Sequence, residues 1–548
     1  MGKDASSGVM AMKKQGIFVW EMLILFGIFA LFGAYTVPDT NEAHYLGKAA
    51  FFWNSDYAPG DFFLSSPDAH AVFYWSFGWL TLFCSMDTVA WIGRGITWFL
   101  LAVGWMRITR GLKLPPGSGT VSGTLFLFLY SHFSFAGEWV VGGVEAKGFA
   151  FAFLFMAIGE LVRNHWNRCW LWLGLAAMFH VLIGGWGMVA TGFAWLVLRN
   201  YEGEKSHVPT LRAQLPGLAG AILLTLPALI PALMLNAGTD AETVRIANNL
   251  YVYERLPHHL LLSFIAQRTP DKLIYFGALF LIWSFLVARP RFSHGDINLR
   301  AFVYGTLLIA GGGWFINLFI GVAPDVAAAL LRYYWFRMAD VCLPMGVALV
   351  GVEFCCLGTV DRKQDRTLFW RRKLLWLVLL CVGCWQIVES AQRHEKVAPP
   401  RSCSGAAKGE TWLALAEYVR ENTEPDTIFV VPYTTRTFTW YTHRPVVGVW
   451  KDIPQDAAGL VEWWNRMQIQ FYGVDMNSPM RSYGRLRTFG LLPESRLEKI
   501  AKKYGEKCRY IVTPRDDLDW CREAIYENDD FSLYPLRKEK TVIPRNSP

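Results

Sequence analysis

The chain has 548 residues, of which 53% are hydrophobic and only 18% charged, and its mean hydropathy is +0.24. Charged residues make up roughly 25% of ordinary soluble domains, so the chain is too apolar for an ordinary soluble protein of this length. The formal net charge of +8 does not point to nucleic acid, because most basic residues sit in short loops between apolar runs, which is a sign of membrane topology.

A membrane-crossing helix needs about 20 mostly apolar residues. In chain order, crossings are predicted near 17–37, 86–106, 119–136, 148–162, 215–235, 272–288, 300–320, 326–358 and 372–390. The first run is too long for a cleavable signal peptide. The stretch 169–198 is too long for one crossing and carries His180 and the pair Gly184–Gly185. It reads as two short helices meeting at that break, which gives about eleven crossings. Lys13, Lys14, Arg107, Arg110, Lys113, Arg163, Arg168, Arg199, Lys205, Arg212, Arg289, Arg291, Arg300 and the basic run from Arg362 to Lys373 all fall on one side under this count. The positive-inside rule makes that side cytoplasmic. The N-terminus is then cytoplasmic, and residues 391–548 lie outside. Cys381 and Cys384 sit inside an apolar run and read as buried thiols.

Four segments on the outer side carry chemistry. The first is VPDTNEAHYLGKAAFFW, residues 37–53. Asp39 and Glu42 are three apart and share a face if a helix begins there, although Asp39 could simply cap it. His44 and Tyr45 read as supporting or interfacial residues. GDFFLSSPDAH then supplies Asp61, Asp68 and His70 between aromatics. The second, AGEWVVGGVEAKGFAF at 136–151, offers Glu138, Glu145 and Lys147; a plain Glu145–Lys147 salt link competes with a lysine aimed at an anionic headgroup. The third, at 240–260, holds Arg245, Arg255, His258 and His259. Arginine and histidine together can grip phosphate, whereas adjacent histidines do not share a helix face and make a poor metal pair. The fourth, LRYYWFRMAD, places Arg332, Arg337 and Asp340 in or beside an apolar run. Charges there default to functional hypotheses, with snorkelling to the interface as the alternative for Arg332. His180 is expected to bond a backbone carbonyl freed by the helix break.

After residue 391 the apolar runs shorten. TWLALAEYVREN reads as a helix, DTIFVVP and PVVGVW as strands, GLVEWWNRMQIQFYG and RLEKIAKKYG as helices, and CRYIVTP as a strand, followed by extended pieces at AIYEN and FSLYPL. That alternation predicts a small α/β domain. Cys508 and Cys521 could pair in an oxidising compartment or remain free thiols.

The acidic motif PDTNEAHY after the first run, the long outer loop 38–85 and the outward domain after the last run resemble the GT-C class of polytopic glycosyltransferases. GDFFLSSPDAH, GEWVVGGVEAKGFAF and FHVLIGGWG also look like an uncharacterised bacterial family of GT-C-like membrane proteins. The resemblance implies a polytopic α-helical fold over 1–390 with an extracytoplasmic α/β domain over 391–548, in a bacterial inner membrane. It implies transfer of a sugar from a polyprenyl-phosphate carrier to a lipid, glycan or protein on the outer face. Asp39 or Glu42 would be base or metal ligand, with Asp61 and Asp68 as secondary acids. His70, Glu145, Lys147, Arg245, Arg255, His258, His259, Arg332 and Arg337 would contact substrate. The metal requirement stays open, with a divalent cation as the class to test. The adjacent Asp-Glu pair usual in the class is absent, since Thr40 and Asn41 intervene, so the base is left as a choice of two. A transporter or lipid flippase and a non-catalytic scaffold are the competing readings.

Overall fold

The computed structural model describes residues 2–39, 41–202, 207–288, 293–356, 366–396, 409–433, 435–471, 494–515 and 523–537. Among these, seven helices are long and apolar enough to cross a membrane: Gly16–Gly33, Met86–Gly111, Val181–Asn200, Leu211–Met234, Pro270–Val287, His294–Leu318 and Arg337–Cys356. The chain is therefore a polytopic helical membrane protein. The other four expected crossings are shorter apolar helices. Ser118–Phe133, Ala146–Leu161 and Trp166–Phe179 have 14 to 16 residues, and the apolar part of Arg366–Lys396 spans Lys373–Gln386.

Three local expectations changed. The long run 326–358 divides into Pro324–Leu331 and Arg337–Cys356, because the chain turns between them with Tyr334 at φ 54°. The break in 169–198 falls at His180 and not at the glycines. Gly184 stays helical, and a Cβ there would lie 2.2 Å from the Ala177 nitrogen; its job is the close crossing of the two helices. Cys381 and Cys384 are exposed on the surface of Arg366–Lys396, since an apolar run can face lipid as readily as core.

The bundle core is aromatic. Trp105 stacks on Phe126 at 4.8 Å and meets Phe155 edge-on at 5.6 Å. Its indole N–H donates to Ser122 Oγ at 3.0 Å, satisfying the one polar atom such a side chain buries.

The C-terminal part carries a four-stranded sheet with strands β1 (Ile428–Val430), β2 (Cys508–Pro514), β3 (Tyr526–Glu527) and β4 (Phe531–Pro535) in the order β1-β2-β4-β3. β1 and β2 are parallel, and the β2–β4 and β3–β4 pairs are antiparallel. Gly409–Asn422, Ala457–Phe471 and Glu494–Tyr504 are its main helices. The expected strand PVVGVW is reduced to one bridge, Phe429 with Val446. Val447 donates to the Phe429 carbonyl at that bridge, but Val446 donates to Asp61 and Trp450 to the Tyr433 carbonyl, so the pairing goes no further. Cys508 is buried and free, and Cys521 lies outside the described residues.

Helix direction alternates along the chain. The end of the first crossing, the loop 134–145, the break at His180, the segment 241–269, the turn 332–336 and the C-terminal part therefore gather at one end of the bundle. At the opposite end Glu160 is buried against Arg107 and His165.

Candidate functional site

The helix Glu42–Trp53 begins directly after the first crossing and brings Glu42 into a fully buried anchor. Arg94, from the middle of Met86–Gly111, donates Nε to Glu42 Oε1 at 2.7 Å and a second guanidinium N–H to Oε2 at 2.6 Å. The backbone N–H groups of Val144 and Asp39 also donate to this carboxylate, each at 2.7 Å. A carboxylate has about four acceptor positions, and all are occupied. Glu42, expected as base or metal ligand, thus has its acceptor positions filled, and it pins the start of the outer loop to the bundle. Gly143 makes this possible, since a Cβ there would lie 2.8 Å from the Glu42 carboxyl carbon.

Beside the anchor lies a continuous buried chain of acids and cations. Asn41 Nδ2 donates to Glu145 Oε2 at 3.0 Å, and Lys147 Nζ lies 3.3 Å from Glu145 Oε1. Lys147 donates to Glu138 Oε1 at 2.7 Å and sits 4.2 Å over the Trp139 ring. Arg337 donates to Glu138 Oε2 and lies 3.9 Å from the Tyr334 ring centroid. Its other arm donates to His180 Nε2 at 3.3 Å. His180 therefore accepts from Arg337, where a freed backbone carbonyl had been expected as its partner. The His180 ring lies 5.3 Å from that of His70, whose Nδ1 is 2.8 Å from Asp68 Oδ1. Lys48 ends the chain 3.7 Å from Asp68, donating to the Ser66 carbonyl at 2.7 Å.

The environment drives neighbouring acids apart. Burial pushes Glu138 up, but Arg337 and Lys147 outweigh it and hold the carboxyl at about 2. Burial holds Glu145 above the usual glutamate range, only partly offset by Lys147, and its Oε1 accepts no hydrogen bond. Asp68 is held well below the carboxylate range, as His70 and Lys48 overcome its burial. Buried ion-pair networks and proton-handling sites both split neighbouring acids in this way.

The remaining residues singled out in the sequence fall in several places. Asp39 is half-buried against Gly143, whose N–H donates to it at 3.3 Å. Asp61 is committed to structure: it accepts from Leu64 N at 2.9 Å and Val446 N at 3.1 Å, tying the outer loop to the C-terminal part. Burial raises it to about 6 despite these bonds. Arg255 donates to the Trp450 carbonyl at 3.1 Å. His259 bonds the Ala136 carbonyl, and burial, with His258 beside it, lowers it to about 3. Burial and Arg255 lower His258 to about 4. Arg332 donates to Asn248. Arg245 is apart from the cluster, exposed and paired with Glu242 and Asp325. The sequence reading passed over Lys48, Arg94 and Asp452. Only Arg94 had a plain signal, a charge in mid-crossing.

Asp340 holds the loop of Glu138 in place. It is fully buried and accepts N–H groups from Phe135 at 3.0 Å, Ala136 at 2.9 Å and Glu138 at 3.4 Å. Replacing Asp340 with Ala leaves these donors unsatisfied and should cost about 3 kcal/mol. Thermal unfolding of the detergent-solubilised protein measures this, with Asp340→Asn expected to fall between Ala and wild type.

The donor set does not suit a divalent cation. Among the described residues no three His, Cys, Asp or Glu side chains are grouped to share a metal. Glu42 is saturated by Arg94 and backbone, and Glu138, Glu145 and Asp68 each face a lysine.

Residues 410–469 match the model of a domain of unknown function, DUF6798. No curated protein matches the chain. Among solved structures, the chain is similar to the oligosaccharyltransferase of Archaeoglobus fulgidus in its apo form, with 12% identity and a TM-score of 0.44 over 91% of this chain and 69% of that one. It is likewise similar to the archaeal oligosaccharyltransferase AglB from the same organism in complex with an inhibitory peptide and a dolichol-phosphate, at 11% identity, with the same TM-score and coverage.

Proposed function

We propose that the chain is a membrane glycosyltransferase that moves a sugar from a polyprenyl-phosphate carrier to an acceptor on the extracytoplasmic face of a bacterial inner membrane. In this reading residues 1–390 form the membrane domain and 391–548 the extracytoplasmic domain. The observation that carries it is the buried sequence Arg337–Glu138–Lys147–Glu145, set where the helix ends meet the C-terminal part. A lipid phosphate entering from the bilayer would meet Lys147 and Arg337, whose charges stabilise the phosphate as it leaves. The acceptor hydroxyl would attack the anomeric carbon as the bond from that carbon to the phosphate oxygen breaks. The phosphate takes the bonding electrons. Glu145, held toward neutrality by burial and flanked by Lys147, would receive the hydroxyl proton. Asp39, at the edge of this site, would orient the acceptor.

The test uses the purified full chain in nanodiscs and a radiolabelled polyprenyl-phosphate sugar. Wild type should consume the donor, releasing polyprenyl phosphate, when membrane extract supplies acceptor. Arg337→Ala and Lys147→Ala should weaken donor binding about tenfold or more. Binding of the donor that was equal in wild type and both variants would sink the reading.

A further inference from the structure

We infer that a cleft between the outer loop and the C-terminal part binds a neutral saccharide, the non-reacting portion of the acceptor. That a saccharide binds stands on the cleft itself; that it is the acceptor rests on the function proposed above.

The cleft measures about 460 Å³, within the range of small-molecule sites, roughly 300–1,000 Å³. One wall comes from the outer loop, with Asp56, Tyr57 and Asp87, and the other from the C-terminal part, with Arg420, Tyr441 and His443. None of these belongs to the buried chain of Arg337, Glu138, Lys147 and Glu145. Contacts between the two parts hold the walls in place. Tyr57 Oη donates to the Thr439 carbonyl at 3.3 Å, and its ring lies 4.9 Å from that of His443. Close by in the chain, Asp61 accepts the Val446 N–H at 3.1 Å. Trp440, which also lines the cleft, belongs to the apolar cluster that includes Val144 and Ala146, the chain neighbours of Glu145. The cleft is thereby tied to the segment that carries the proposed base.

His443 ends the short helix Phe438–Thr442 at φ 54° and ψ 34°, the left-handed region. A residue with a side chain is uncommon there, and such conformations cluster at ligand sites. The His443 side chain stays exposed beside Tyr57. Asp56 is exposed as well, and among the described residues only its N–H is engaged, donating to Asn54 Oδ1 at 3.0 Å. Of Arg420, likewise exposed, the carbonyl accepts from Arg444 at 2.8 Å and the guanidinium has no ion pair among the described residues. A carboxylate only accepts and a guanidinium only donates. A ligand that serves both within one cleft needs groups able to do either, and hydroxyls are such groups. The faces of aromatic rings carry partial negative charge, which suits the C–H face of a sugar ring against Tyr441 and His443. Two carboxylates with one guanidinium leave the cleft weakly acidic, the opposite of what a phosphate or an acidic sugar requires.

The experiment measures binding of an array of neutral oligosaccharides to the full chain in nanodiscs, with uronic-acid oligosaccharides and tetralysine as comparison probes. Wild type should bind members of the neutral set. Asp56→Ala should weaken that binding about tenfold. His443→Gly should weaken it about threefold to tenfold and melt no lower than wild type, because glycine adopts the left-handed backbone freely. Absence of binding, or equal binding by wild type and both variants, would overturn the inference and leave donor binding at Lys147 and Arg337 untouched. Tetralysine binding that depends on Asp56, without saccharide binding, would assign the cleft to a basic peptide and overturn it too. Uronic-acid oligosaccharides bound as tightly as neutral ones would remove the neutral class. A bound saccharide that receives no label from the radiolabelled donor would keep the cleft and remove its role as acceptor site.

Discussion

Arg94→Leu should destabilise the protein by about 3–5 kcal/mol, the cost of removing one partner from a buried ion pair. Glu42 and Arg94 are both fully buried, and the guanidinium also donates to the carbonyls of Tyr35 and Thr36. Removing it strands a carboxylate with only two backbone donors and two carbonyls that lose a donor. Arg94→Lys should be intermediate, because an ammonium cannot reproduce the two parallel bonds of the guanidinium fork. Glu42→Gln should also be destabilising, since an amide nitrogen would face either Arg94 or a backbone N–H. Unfolding followed by tryptophan fluorescence in detergent gives the ranking. If Arg94→Leu melts with wild type, Glu42 is not an anchor and returns as a candidate for chemistry.

Glu145→Gln should slow sugar transfer by about 10²–10⁴-fold, the range for loss of a general base, while donor binding and melting stay close to wild type. The glutamine oxygen can still accept from Asn41, so the fold keeps that contact, but the side chain can no longer take a proton. Asp39→Asn should cost less, under about tenfold, if its part is orientation. The pH profile gives an independent check. Glu145 must be deprotonated to act, so activity should rise with pH through a value above the ordinary glutamate range, in the direction set by its burial. A Glu145→Gln protein with full transfer activity would exclude Glu145 as the base.

What was legible in the sequence is what depends on near neighbours along the chain. An apolar run of about 20 residues must become a helix in a bilayer, since no other segment satisfies its own backbone there; seven such helices are present among the described residues. The order of helices and strands after residue 409 follows largely from local periodicity; PVVGVW departs from it, and the short helix Phe438–Thr442 was not expected. The crowding of Glu138, Glu145 and Lys147 beside one crossing was visible for the same reason. The tertiary structure decided which charges meet. Glu42 and Arg94 are 52 positions apart, and nothing in either segment says that this acid is spent on that arginine. Arg337 reaches Glu138 from 199 positions away. A carboxylate costs little at a membrane surface and much when buried, so its role depends on what the fold brings within about 4 Å of it. The amino-acid order alone therefore determined a helical membrane protein with acids and cations along one end. Only the packing of distant segments separated Glu42, filled by Arg94 and backbone donors, from Glu145, the acid proposed as the base.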